Sequence, residues 1–221
     1  MTSTPAPTAR HGGTPPAAPV SDEIVSLRRV FDPDATRERI LAAAITVVAH
    51  RGFGALTVKE VAAAAGIKAP GLYSHFPSKE AILTEAVSRV LGDFMANAAT
   101  VSGADPEEEL RETVRRHVLY QIHNMHIARV ADLVLNTATA GQFLSPDDYD
   151  QLLSEQRAYL NLVSERVAAF APGRSTTEVT VISLAIIAMC DRVANWFQPG
   201  GSLTPEEIAD LHWQLTRSML T

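Results

Sequence analysis

The sequence holds a single cysteine, Cys190, so no intrachain disulfide can form, and its place in the most apolar stretch predicts a buried, inert thiol. Lysine is nearly as scarce: Lys59, Lys68 and Lys79 are the only three, and all fall in one short window. No apolar run approaches the roughly 20 residues that a membrane-spanning helix needs. The longest uncharged one lies between Glu178 and Asp191. The opening residues, MTSTPAPTARHGGTPPAAPV, lack a basic start followed by an apolar segment, which argues against a signal peptide and predicts a cytoplasmic protein. Also missing are a phosphate-cradling glycine loop, an HExxH pair and a GxSxG elbow. These absences predict no catalysis and no cofactor. No stretch alternates polar and apolar side chains between turns as a strand would.

What remains is a chain of 221 residues, 46% hydrophobic, with material for one sizeable core or two modest ones. The net charge of −6 is unevenly spread. Residues 1–80 carry nine Lys or Arg against seven Asp or Glu, a balance of +2, whereas residues 81–221 carry ten against eighteen, a balance of −8. The total disfavours a general nucleic-acid coat, yet the positive half contains every lysine.

Residues 1–30 are rich in Pro, Ala, Gly and Thr and are expected to form a disordered tail. From Asp34, the residues Ile40, Leu41, Ala44, Val47 and Val48 recur at helical spacing and stop at Gly52. Thr57 to Glu60 reads as a capping box ahead of a short helix that closes at Gly66. Ser78 starts a longer helix, expected to reach about Val101, with a stripe of Ile82, Leu83, Ala86, Val87, Val90, Leu91 and Phe94. Three later starts share a cap residue, a proline and acids facing the positive helix end: Asp105-Pro, Ser145-Pro and Thr204-Pro. Ser175 and Glu178 make another capping box, opening a helix expected to run through Phe197. The pattern is all-α, about nine helices, with domains at 31–80 and 81–221.

The stretch GIKAPGLYSHFPSKEAIL, Gly66 to Leu83, joins two short helices by a tight turn after a longer one, the layout of a helix-turn-helix. Its proline-started helix is expected to enter the major groove of double-stranded DNA. Lys68, Tyr73, His75 and Lys79 are candidate phosphate contacts, and Thr57 offers a hydroxyl and free amides at a helix start. Ala69 and Gly71 would let the backbone approach base edges, while Leu72 and Phe76 fall on the core side. A helical hairpin with a solvated basic edge, working as a protein- or lipid-interaction module, is the rival; the lysine clustering and the Thr57 cap count against it.

The span RERILAAAITVVAHRGFGALTVKEVAAAAGIKAPGLYSHFPSKEAIL, Arg37 to Leu83, resembles the N-terminal domain of the TetR family of transcriptional regulators nearly throughout. LYSHFPSKEAIL is its most specific element. The resemblance implies a homodimer, a helical C-terminal domain that binds a small-molecule effector, and release from a palindromic operator when it does so. Pro70 replaces the small residue more usual there, and Ser74 a larger one, which leaves the base preferences open.

In the C-terminal half, the helix from Val179 to Cys190 is apolar on every side and should be buried all round. Together with Ile208, Leu211, Leu215 and Met219 it suits a bundle completed by a second subunit. Polar groups interrupt two apolar stripes: His117 and Gln121 on one helix, Gln156 with Tyr159 nearby on the other. Such groups orient a ligand in a greasy cavity, and they also occur at any solvent edge. His123 and His126 have a metal-site spacing, but no nearby cysteine or carboxylate pair completes a set, so no metal is expected. NWFQPGGSLTPEEIADLH, Asn195 to His212, is similar to the end of family members that include steroid-catabolism and acyl-CoA-sensing repressors. That likeness implies a hydrophobic or acyl-thioester effector, with a planar aromatic molecule as the rival.

Overall fold

The computed structural model describes residues 20–99, 105–135 and 144–221, and among these there is no strand. The first described element is α1, Val20–Val30. This corrects the expectation of a structureless tail up to residue 30. Phe31 at its end is buried, Ser26 Oγ donates to the His123 carbonyl at 2.9 Å, and Arg29 reaches Asp93 at 2.7 Å. Leu27, Val30 and Phe31 supply a short apolar edge that composition alone conceals. Residues 1–19 of the expected tail lie outside the described residues.

Helix α2, Thr36–Arg51, ends at Gly52, whose φ of 75° places it in the left-handed region open to glycine. A 3₁₀ turn at Phe53–Ala55 leads to α3, Val58–Ala64. Thr57 Oγ1 accepts from the Glu60 amide at 3.2 Å, but the reciprocal half of the expected capping box is not made. The Glu60 carboxylate pairs with Arg51 instead. Gly66, with φ of 69°, turns the chain into α4, Ala69–Tyr73. Ser78 Oγ accepts from the Ala81 amide at 3.0 Å and so caps α5, Lys79–Ala99; the expected continuation to Val101 falls outside the described residues.

The second half follows its caps. Asp105 starts α6, Pro106–His123, Ser145 starts α8, Pro146–Phe170, Ser175 starts α9, Thr176–Asp191, and Thr204 starts α11, Pro205–Leu220. Two breaks depart from the sequence reading. Asn124 interrupts the stripe Leu110, Val114, Val118, Ile122 and Met125, whose spacing predicts one helix, donating its Nδ2–H to the Tyr120 carbonyl at 2.8 Å, and α7, Met125–Leu135, starts afresh. Arg192 likewise separates α9 from the short α10, Val193–Trp196, where one helix through Phe197 was expected.

Two cores result. The first gathers Ile40, Leu41, Val61, Leu72, Phe76, Ile82 and Leu83 with Ile127 and Leu152, so it draws on both sides of the boundary expected at residue 80. The second gathers Val114, Val118, Val163, Ile186, Ile208 and Trp213. Helix α5 feeds both, giving Ile82 to Val90 to the first and Phe94 and Ala98 to the second. The most apolar helix is not buried all round in the single chain: Val181 is 60% and Leu184 50% exposed, beside exposed Leu211 and Leu215 of α11. Exposed large apolar side chains gathered on two neighbouring helices mark an interaction surface.

Candidate functional site

The candidate DNA face is built on α4. Leu72 and Phe76 are buried beneath it, which holds the short helix to the core and fixes what faces outward. Tyr73 is 59% exposed, Thr57, Lys68 and Gly71 are exposed, and Ala69, His75 and Lys79 are half-buried. Lys79 Nζ stands 3.8 Å from Glu80, too far for a tight pair, so its charge remains available to a phosphate. Gly71 is informative. A Cβ there would meet nothing within 4 Å and its φ is not positive, so nothing inside the molecule requires glycine at this position.

One residue of this region escapes the sequence reading. Arg37 lays its guanidinium 4.1 Å from the centre of the Phe76 ring and donates Nη1–H to the His75 carbonyl at 2.6 Å. It also grips Glu85 of α5 through Nε at 3.1 Å and Nη2 at 2.5 Å. Arg37 therefore ties the exit of α4 to α5. Its partners are 38 and 48 residues away, a separation that no local pattern reports. Arg89 of α5 adds a second tie, to Glu38 of α2 at 2.9 Å.

The candidate effector site is a cavity of about 400 Å³ enclosed by α5 to α9. Val90, Leu91, Phe94, Met95, Leu160 and Ile187 make its walls apolar, and Gln121, Gln156 and Tyr159 are among its polar linings, as are Glu155 and Asp191. His117, the fourth residue singled out from sequence, stands behind the wall and is 2% exposed. Its Nε2 is 2.9 Å from Asp191 Oδ1 and its Nδ1 2.9 Å from the Tyr159 hydroxyl. A carboxylate only accepts, so Nε2 carries the proton and Nδ1 accepts from Tyr159. Gln121 Nε2 donates to the same Asp191 oxygen at 2.9 Å; its 3.2 Å approach to His117 Nε2 brings two N–H groups together at a shared acceptor.

This network orients the polar side of the cavity. Burial pushes the Tyr159 phenol well above the usual tyrosine range, with Cys190 and Asp191 adding to the effect, so Tyr159 stays a donor. Phe94 packs edge-on against His117, Tyr120 and Tyr159 at 4.7–5.1 Å between ring centres, locking all three. Tyr120 donates to Asp93 at 2.8 Å, and burial followed by that carboxylate raises its phenol as well. Burial also pushes the Cys190 thiol up, which makes it a poor nucleophile. Asp191 and Glu155 are the functional candidates that sequence misses: Asp191 reads only as the end of an apolar run, and no local pattern marks Glu155. His126 stacks on His50 with ring centres 6.4 Å apart, while His123 is exposed.

A broader hollow of about 550 Å³ lies between α1, α5 and the start of α8, lined by Val30, Ser88, Arg89, Asp93 and Gln151 among others. It is more polar and more open, and offers no apolar wall against which a ligand would be desolvated.

Comparison with known proteins agrees with this geometry. Residues 40–86 match the model of bacterial regulatory proteins of the tetR family, and residues 103–220 match the tetracyclin repressor-like C-terminal domain. The transcriptional repressor KstR2 of Rhodococcus jostii is 28% identical over 176 residues, covering 78% of this chain and 85% of the relative. KstR2 of Mycolicibacterium smegmatis is 27% identical, covering 86% and 92%. Among solved structures, a tetR-family regulatory protein from Rhodococcus RHA1 superposes with a TM-score of 0.73 at 25% identity, covering 84% of this chain and 96% of that one. AibR in complex with isovaleryl coenzyme A and operator DNA has the same fold, with a TM-score of 0.69 at 22% identity over 82% and 97%. A reading helix held on a buried anchor, a long helix shared by two cores and a matching C-terminal domain lead to one conclusion: the chain belongs to the TetR family of DNA-binding bacterial transcriptional regulators.

Proposed function

We propose that this protein is a cytoplasmic homodimeric repressor that binds a palindromic operator and is released by a small hydrophobic or acyl-thioester effector. The observation that carries the reading is the pairing of an outward-facing α4 with an apolar cavity, both bearing on α5. Lys68, Tyr73, His75 and Lys79 take phosphate contacts, Thr57 presents a helix N-terminus to another, and Ala69 and Gly71 approach the base edges. Gln121, Gln156 and Tyr159 meet the effector, and His117 holds Tyr159 and Asp191 in place. Residues 31–80 act as the reading domain and 81–221 as the effector and dimer domain. The exposed leucines of α9 and α11 support a two-fold interface that sets two reading helices about one DNA turn apart. KstR2 of Mycobacterium tuberculosis, a ketosteroid transcriptional regulator, and the isovaleryl coenzyme A held by AibR support the effector class.

The mechanism is a ligand-linked equilibrium between operator-competent and spread conformations. A ligand that prefers the spread form by 100-fold lowers operator affinity by about 2.7 kcal/mol and needs no direct contact with DNA. The test starts from whatever small molecule co-purifies, identified by mass spectrometry. That molecule is expected to dissociate the protein from DNA upstream of its own coding region. A footprint lacking two-fold symmetry, or binding insensitive to salt, would sink the repressor reading.

A further inference from the structure

Three carboxylates line the effector cavity, and they differ in how fully they are bonded. Asp191 accepts from both His117 and Gln121, and Asp132 faces Arg192 at 3.6 Å. Glu155 is incomplete: its Oε1 accepts from Ser88 Oγ of α5, while Oε2 is buried and has no partner among the described residues. A buried acceptor without a donor is a strained arrangement that a complementary group relieves. Arg157 is the one cation among the lining residues, and it is exposed at the rim, where solvent screens it.

We propose that Glu155 determines the specificity of this cavity: its unpartnered carboxylate oxygen, closed to solvent as the side chain stands, turns to accept a hydrogen bond from a hydroxyl, amide N–H or ammonium on an otherwise apolar effector. The same negative charge excludes free carboxylic acids. The proposal rests on reading this cavity as the effector site. It deepens that reading by separating acyl derivatives whose buried end carries a donor and no carboxylate from the acids they are made from. The neighbourhood of Glu155 also links recognition to response. Ser88, its present donor, sits on α5 beside Arg89, whose guanidinium holds Glu38 of α2. A ligand that draws the Glu155 carboxylate toward itself loosens its bond to Ser88, one residue from the tie to the reading unit.

The experiment is calorimetric titration of the full chain with decan-1-ol, decylamine and sodium decanoate. Decan-1-ol and decylamine are expected to bind at least about tenfold more tightly than decanoate, because like charges in a poorly solvated cavity repel. Glu155→Gln removes the charge and keeps the shape, so decanoate should gain at least about tenfold relative to decan-1-ol. Ser88→Ala removes the bond that the ligand has to loosen, so it should bind the alcohol more tightly than the parent does while its operator affinity responds less to it. Decanoate binding the parent within about twofold of decan-1-ol, no binding of any probe, or an unchanged ratio in Glu155→Gln would each overturn the proposal. Failure here is distinguishable from failure of the repressor reading. A carboxylate-bearing ligand that releases DNA defeats only the role of Glu155, whereas a donor-bearing ligand that binds as expected but leaves operator affinity untouched defeats the regulatory reading.

Discussion

At the scale of single residues, the sharpest prediction concerns Gly71. Because a Cβ there has open space, Gly71→Ala should leave the fold intact and even gain up to about 1 kcal/mol of helix propensity. Operator affinity should nevertheless fall about tenfold or more, measured by fluorescence anisotropy beside a thermal melt; an unchanged affinity removes Gly71 from the interface. Lys68→Ala should weaken binding to all sequences alike and reduce the slope of affinity against salt by about one. Ionisation adds a stability prediction. The folded state holds the Tyr159 and Tyr120 protons above their ordinary range, so at pH above about 10 the unfolded chain has fewer protons bound than the native one. Stability is then full below that pH and falls as pH rises through it, which denaturant titrations across pH 9–11 would follow. Gln121 and Gln156 stand out in sequence as polar interruptions of apolar stripes, with Tyr159 nearby. Glu155 and Arg37 do not, since an exposed-looking charge reveals its role only through partners far along the chain.

At the scale of elements, α4 has only five helical residues and borrows its stability from what lies beneath. Phe76→Ala should cost about 3–5 kcal/mol in urea denaturation, since a fully packed aromatic leaves a cavity at the junction of α2, α4 and α5. Arg37→Ala should act differently, leaving helix content unchanged while loosening the connection between α4 and α5. Its signature is reduced operator affinity with little change in melting temperature; an equal loss in both would make Arg37 a stabilising residue and nothing more. Helix starts were readable because a cap is a contact between residues two or three apart, as at Ser145, Ser175 and Thr204. The breaks at Asn124 and Arg192 were not, because apolar spacing continues past both and only packing between helices selects where the chain bends.

At the scale of the whole molecule, the exposed leucines of α9 and α11 carry the remaining prediction. Leu215→Asp should yield a monomer in sedimentation velocity and lower operator affinity by at least about 100-fold, because a single reading unit engages one half-site. A dimer that persists would place the interface elsewhere. The local content of the sequence was sufficient for the all-helical class, the cap-marked starts and the face of α4 turned outward, since each depends on neighbours within a turn or two of helix. The docking of α1, the Arg37 clamp, the polar network around His117 and the half-bonded Glu155 were decided only in three dimensions. Each is a contact between residues tens of positions apart, and which distant groups share a cavity or a charge is a property of the packed chain that no periodicity encodes.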